Sequence, residues 1–151
     1  MDIELIKTDN KNIDFIELTK LLDEDLWARY GDIQAHYDKH NTIDFINDAI
    51  VIYKNKIPAA CGAFKEYSQD SAEIKRIFVK KEDRQQGLAK LIVSKLEELI
   101  RKQGYTYSIL ETGQKQHEAI NLYKAIGYEI IENYAPYVGD SNSVCMKKTL
   151  Y

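Results

Sequence analysis

The sequence predicts a mixed α/β (α+β) fold built as one domain over residues 1–151, and three observations predict it. Short alternating or β-branched runs recur along the chain. The apolar period switches to three and four residues in separate segments between them. The resulting order is strand, helix, a partly helical stretch, three strands, helix, strand, helix and two strands. Seven strands interleaved with helices in this order describe a mixed sheet flanked by helices. The length fits, because 151 residues with 44% hydrophobic and 30% charged side chains suffice for one continuous core.

Asp2 to Thr8 sets Ile3 and Leu5 against Glu4 and Ile6 and reads as a strand. Ile13, Ile16, Leu18, Leu21 and Leu22 then fall near helical spacing behind Asn12, whose side chain can accept an orphan N–H of the first turn. Gln34 to Asn47 is mixed and predicted helical in part. Ala49 to Lys54 is a β-branched run closed by Asn55-Lys56 as a hairpin turn. Ile57 to Tyr67 and Ala72 to Val79 continue the meander across the polar stretch Ser68-Gln69-Asp70-Ser71. From Gln86, Leu88, Leu91, Ile92, Leu96, Leu99 and Ile100 form a helical stripe that Gln103-Gly104 ends as a glycine cap. Tyr105 to Glu111 follows as a strand and Gln116 to Ile126 as a helix closed by Gly127. Tyr128 to Tyr134 and Val144 to Leu150 make the last strand pair.

Several function classes are disfavoured at this stage. No apolar run approaches the ~20 residues of a membrane span. The start Met1-Asp2-Ile3-Glu4 lacks the basic and apolar regions of a secretory signal, so a cytoplasmic protein with no membrane partner is expected. Cys61 and Cys145 have no second Cys or His at ligand spacing and read as small buried hydrophobes. His36 and His40 could share a helix face, but with no third ligand apparent they read as solvated surface, and no metal is expected.

The net charge of −3 hides an asymmetry: residues 1–50 carry twelve acidic against five basic side chains, whereas residues 74–90 carry six basic against two acidic. The second segment suits a polyanion and the first a cation, with two solvated faces as the alternative. Outside it no basic patch is interleaved with aromatics, so nucleic acid is not an expected partner.

The basic segment coincides with a strand, the link Lys80-Lys81-Glu82-Asp83, and the turn Arg84-Gln85-Gln86-Gly87-Leu88-Ala89 opening a long helix. A turn of this kind aims backbone N–H groups at one point, with the positive end of the helix dipole behind them, and binds phosphate. Gly87 and Ala89 keep bulk away from the approach.

Arg84-x-x-Gly87-x-Ala89 resembles the pyrophosphate-binding signature of the GNAT superfamily of N-acetyltransferases. The likeness extends upstream over Ala72-Glu73-Ile74-Lys75-Arg76-Ile77-Phe78-Val79. Downstream it takes in Ala119-Ile120-Asn121-Leu122-Tyr123 with Gly127-Tyr128. The resemblance implies the GNAT fold, a largely antiparallel sheet splayed at an acetyl-CoA site, here where strands end near Val79 and Thr112. It implies that acetyl-CoA is the cosubstrate. Backbone groups of Phe78 and Val79 would pair with its pantetheine arm, Arg84, Gln85, Gln86, Gly87, Leu88, Ala89 and Lys90 would hold its pyrophosphate, and Asn121 would face it from the second helix.

Transfer from a thioester to an amine needs a free amine and a proton for the departing thiolate. By the resemblance, Tyr123 is the proton donor, and Glu73 is a candidate base acting on the amine. Pairing with a neighbouring basic residue is an equal structural alternative for Glu73. Neither cysteine has a histidine partner, so direct transfer is expected rather than a covalent acetyl-enzyme. His117 reads as exposed at a helix start.

The acceptor side corresponds to roughly Asp23 to His40 and Ala135 to Ser143. These hold Asp23, Glu24, Asp25, Trp27, Arg29, Tyr30, Tyr137 and Ser141. The carboxylates favour an amine, Arg29 suits an acceptor carboxylate, and Tyr30 and Tyr137 complete the expected substrate-binding set. Leu110-Glu111-Thr112-Gly113-x-x-Gln116, with Asn133-Tyr134-Ala135-Pro136-Tyr137 and Ser143-Val144-Cys145, resembles a bacterial GNAT branch of largely unassigned small-molecule acetyltransferases. A small-molecule amine or amino acid is therefore the expected acceptor. A protein or peptide amino group, or a non-catalytic acetyl-CoA-binding module, is the alternative, and the sequence leaves room for a homodimer.

Overall fold

The computed structural model describes residues 2–31 and 42–151. Its elements are β1 (Ile3–Thr8), α1 (Ile13–Tyr30), β2 (Asp48–Lys54), β3 (Ile57–Glu66) and β4 (Ser71–Val79), followed by α2 (Leu88–Lys102), β5 (Tyr107–Gly113), α3 (His117–Ala125), β6 (Glu129–Ile131) and β7 (Ser143–Thr149). The seven strands form one sheet in the order β1-β2-β3-β4-β5-β7-β6. Among the described residues only β4 and β5 run parallel, joined through α2, and every other pair is antiparallel. The mixed, largely antiparallel sheet with flanking helices matches the expected fold class.

Local chemistry accounts for the element ends. The Asn12 side chain accepts from the Phe15 N–H at 2.9 Å and caps α1, which runs beyond the predicted apolar stripe to Tyr30. Asn55 and Lys56 both take positive φ, 52° and 68°, the twist that a two-residue hairpin between β2 and β3 requires. Gly104 ends α2 at φ +94°. The last strand pair is shorter than predicted, with β6 stopping at Ile131. The Asn133 amide donates to the carbonyls of Tyr137, Asp140 and Ser143 and so folds the following residues into a loop. The predicted helical stretch Gln34–Asn47 lies partly on residues 32–41, outside the described residues with His36 and His40. Its described end, residues 42–47, is turn and irregular chain.

The β2 run Ala49-Ile50-Val51-Ile52 is fully buried because both faces of the sheet are covered there. Ile50 and Ile52 join Ile92, Leu96 and Ile100 of α2, while Ala49 and Val51 join Phe15, Leu18 and Leu22 of α1. Each large apolar side chain removed from water contributes about 1.5–3 kcal/mol, so these two layers anchor both helices. Cys61 and Cys145 are buried free thiols, as the sequence indicates.

One irregularity shapes the site. Cys61 pairs with Phe78 and Ala63 with Lys75, so Gly62 alone stands opposite Arg76 and Ile77. Arg76 takes φ +60° at this bulge, which bends the strand. A Cβ on Gly62 would run into Ile77 and Ile92, so glycine lets the bulged strand pack onto α2. Arg76 is tied to α1 by its Nη2, 2.8 Å from the Thr19 carbonyl and 2.6 Å from Asp23 Oδ1.

Candidate active site

Parallel pairing between β4 and β5 covers only Ser71–Ile74 against Tyr107–Leu110. Beyond it the strands part, and the opening is a cavity of about 570 Å³. Lys75 to Val79 line one wall and Glu111 to Gly113 the other, α1 closes one side, and Leu88 to Lys90 with Tyr123 lie at its helical end.

The loop before α2 has two residues in the left-handed region, Gln85 at φ +64° and Gly87 at φ +80°. Gly87 is the N-cap of α2 and offers no side-chain acceptor, so the first N–H groups of the helix depend on another partner. Arg84 donates from Nε to the Val79 carbonyl at 3.0 Å and lies over the Phe78 ring, 5.7 Å from its centroid. Its guanidinium also stands 3.5 Å from Asp25. Phe78, Val79, Arg84, Gln85, Gly87, Leu88, Ala89 and Lys90 all line the cavity. Gln86 instead accepts from Lys54 at 3.0 Å, and Asn121 is exposed on α3; neither is among the lining residues.

Tyr123 lines the cavity and is buried. Its ring meets Tyr128 edge-on at 5.8 Å. The Tyr128 hydroxyl donates to Glu97 at 2.9 Å, Ser108 lies 2.7 Å from the same hydroxyl, and Lys148 stands 3.0 Å from Glu97. This buried polar cluster fixes the ring against which Tyr123 packs. Burial pushes the Tyr123 phenol up, so it stays protonated at neutral pH.

Glu73 is buried among other polar groups. It accepts from the Tyr134 hydroxyl at 2.8 Å and faces Lys75 at 3.7 Å, on its own strand two residues away rather than across the sheet. Burial pushes the Lys75 ammonium down while Glu73 opposes that shift. Tyr134, Tyr67 and Tyr137 form an edge-on aromatic group beside this pair, and Tyr137 reaches the cavity.

Arg29 and Tyr30 both line the cavity but are held by the opposite wall. Arg29 pairs with Glu118 at 2.9 Å, and the Tyr30 hydroxyl accepts from the Lys115 N–H at 3.2 Å. The end of α1 is thereby strapped across the gap to the β5–α3 loop. Gly113 is packed so closely under the Tyr30 hydroxyl that a Cβ there would collide with it. Gly113→Ala is therefore expected to push Tyr30 off its bond and cost about 1–3 kcal/mol of stability, measured by urea denaturation. His117 is exposed, as the sequence suggests.

Sequence reading does not single out Glu111, Lys75 or Tyr134, which the structure gathers beside Glu73 at the cavity. For Glu111 the available signal was a charged residue inside an otherwise uncharged strand run, Ser108-Ile109-Leu110-Glu111-Thr112.

Residues 14–128 match the Acetyltransferase (GNAT) family, and the chain belongs to that family. It is 36% identical over 94 residues to the uncharacterized N-acetyltransferase YsnE of Bacillus subtilis (strain 168), covering 61% of this chain and 62% of that protein. The chain thus spans less than two thirds of that curated relative. Among solved structures, a protein of Klebsiella pneumoniae subsp. pneumoniae MGH 78578 provisionally named an acyl-CoA N-acyltransferase is 28% identical. It superposes with a TM-score of 0.81, covering 99% of this chain and 98% of its own. The PaiA N-acetyltransferase of Thermoplasma acidophilum, in complex with coenzyme A, shares the fold at 17% identity and a TM-score of 0.75, with 99% of each chain covered. Among the described residues no helix is long and apolar enough to cross a membrane.

Proposed function

We propose that the chain transfers the acetyl group of acetyl-CoA directly to the amine of a small molecule or amino acid. The carrying observation is that the gap between β4 and β5 runs into the left-handed loop at the head of α2, so a thioester arm and a diphosphate fit one continuous cleft. The fit holds at the loop, where nothing lies within 4 Å of a Cβ built on Gly87, leaving room for phosphate against backbone. The Thermoplasma protein of the same fold holds coenzyme A. On this reading the stretch of β4 at Phe78 and Val79, which β5 leaves unpaired, faces the pantetheine arm, Arg84, Gln85 and Gly87 to Lys90 bind the pyrophosphate, and Tyr123 protonates the departing sulfur.

A small acceptor is supported by the strapped end of α1 and the β6–β7 loop, which narrow the acceptor side around Tyr137. The test is release of free CoA thiol from acetyl-CoA with a panel of amines, amino acids and peptides. Release with small amines and not peptides is expected. Release with peptides alone makes a protein amino group the acceptor, and no release together with acetyl-CoA binding leaves a non-catalytic module.

Of the two roles the sequence leaves to Glu73, its pairing supports positioning. Glu73→Gln is then expected to lower stability by about 1–3 kcal/mol, because the charge facing buried Lys75 is removed. Thermal melts check this. A base role predicts instead an unaltered melt and a turnover deficit that closes as pH rises.

A further inference from the structure

Glu111 follows the last β5 residue paired with β4, so it stands at the fork of the cleft and lines the cavity. Ile109 pairs with Glu73, and side chains two residues apart share a face, which puts Glu111 on the same side of the sheet as Glu73 and Lys75. The groups that bear on it are Glu73 and Lys75 of β4, Asp140 of the β6–β7 loop, Ser143 and Cys145 of β7, and Tyr30 of α1. Glu73 is engaged by Tyr134 and Lys75, whereas the hydrogen bond that bears on Glu111 comes from the Ser143 hydroxyl.

We propose that the Glu111 carboxylate removes the proton from the acceptor amine, with Glu73 and Lys75 acting as positioning residues beside it. This rests on the acetyltransferase reading above. The acceptor ammonium gives one proton to Glu111, and the freed nitrogen lone pair forms the new C–N bond to the acetyl carbon. The C–S bond breaks with its electron pair going to sulfur, which takes a proton from Tyr123. The surplus proton on the newly bonded nitrogen restores Tyr123, and Glu111 passes its proton to solvent, so one proton is released per transfer. Burial, reinforced by Glu73 and opposed by Ser143, pushes the Glu111 carboxyl up to about 7. A carboxylate of that basicity is matched to proton transfer near neutral pH.

The test compares the unmutated protein with Glu111→Gln and Ser143→Ala. The unmutated kcat/KM for the amine should rise with pH and level above about 7. Glu111→Gln should lose roughly tenfold to a hundredfold at neutral pH, and its profile should climb without levelling until the amine itself deprotonates. Ser143→Ala removes the bond that lowers the carboxyl, so its limb should move to higher pH, which keeps the test open if Glu111→Gln folds poorly.

Melting temperature gives a readout independent of turnover. A carboxyl raised in the folded state stabilises the fold fully below the ordinary carboxylate range, and that contribution fades as pH rises through about 7. The unmutated protein should therefore lose more melting temperature between acid and mildly alkaline pH than Glu111→Gln does. A Glu111→Gln profile that still levels near neutrality, or melts with the same pH dependence as the parent, overturns the assignment. No thiol release from the unmutated protein with any acceptor overturns the acetyltransferase reading itself.

Discussion

Gly87→Glu is expected to remove measurable acetyl-CoA binding while leaving the fold intact. Gly87 is exposed at the head of α2 with no atom within 4 Å of an added Cβ, so a larger side chain meets no packed neighbour. The cost to folding is that of a non-glycine residue at φ +80°, about 1–2 kcal/mol. The cost to binding has two sources. The new side chain fills the approach to the N–H groups of Leu88, Ala89 and Lys90, and its carboxylate faces the pyrophosphate where the helix dipole otherwise favours negative charge. Losing charge-assisted bonds and adding repulsion should weaken affinity by at least ~10²-fold, about 2.7 kcal/mol. Gly87→Asn separates the causes, because asparagine tolerates left-handed backbone and adds no charge, so it should retain more affinity. Isothermal calorimetry on both folded variants decides the matter. Unchanged affinity in Gly87→Glu would move the diphosphate away from this loop.

The fold was legible where one physical signal dominated. The α2 stripe, the Asn12 cap and the Asn55-Lys56 hairpin turn each rest on local periodicity or turn chemistry, and each is found where the sequence puts it. The parting of β4 from β5 was legible only through the family resemblance. It begins just past Ile74, where β4 also bulges opposite Gly62 against residues of α2 distant in sequence, and no local periodicity marks such a register shift. The early stop of β6 likewise depends on a single amide, that of Asn133, reaching three carbonyls up to ten residues away. The site divides in the same way. The loop residues follow one another in the chain and could be read together, apart from Gln86, whose side chain turns to Lys54 on a different hairpin. Arg29 and Tyr30 carry the chemistry expected of an acceptor site, yet they bond to Glu118 and Lys115, more than eighty residues on. Nothing local to α1 announces those partners.

Tyr123→Phe is expected to lower kcat on the order of 10² or more with acetyl-CoA affinity nearly unchanged. Tyr123 lies on the face of α3 that carries Ala119 and Leu122, and all three line the cavity at the end where Leu88 and Ala89 also line it. Burial then keeps the phenol protonated, which a proton donor to a leaving thiolate requires. The same burial makes packing the competing explanation, since the ring belongs to the core with Leu96, Ile100 and Tyr128 and sits edge-on to Tyr128 at 5.8 Å. Phenylalanine keeps that edge-on contact and the apolar area and removes only the hydroxyl, so the two explanations predict different numbers. If the ring matters and the hydroxyl does not, turnover and melting temperature both stay near the parent's. If the hydroxyl delivers the proton, the melting temperature stays and turnover falls. Acceptors should then all suffer the same loss, because the thiolate that leaves is common to every amine. A measured kcat within about twofold of the parent, on an acceptor identified by thiol release, would take Tyr123 out of the reaction and leave solvent to protonate the sulfur.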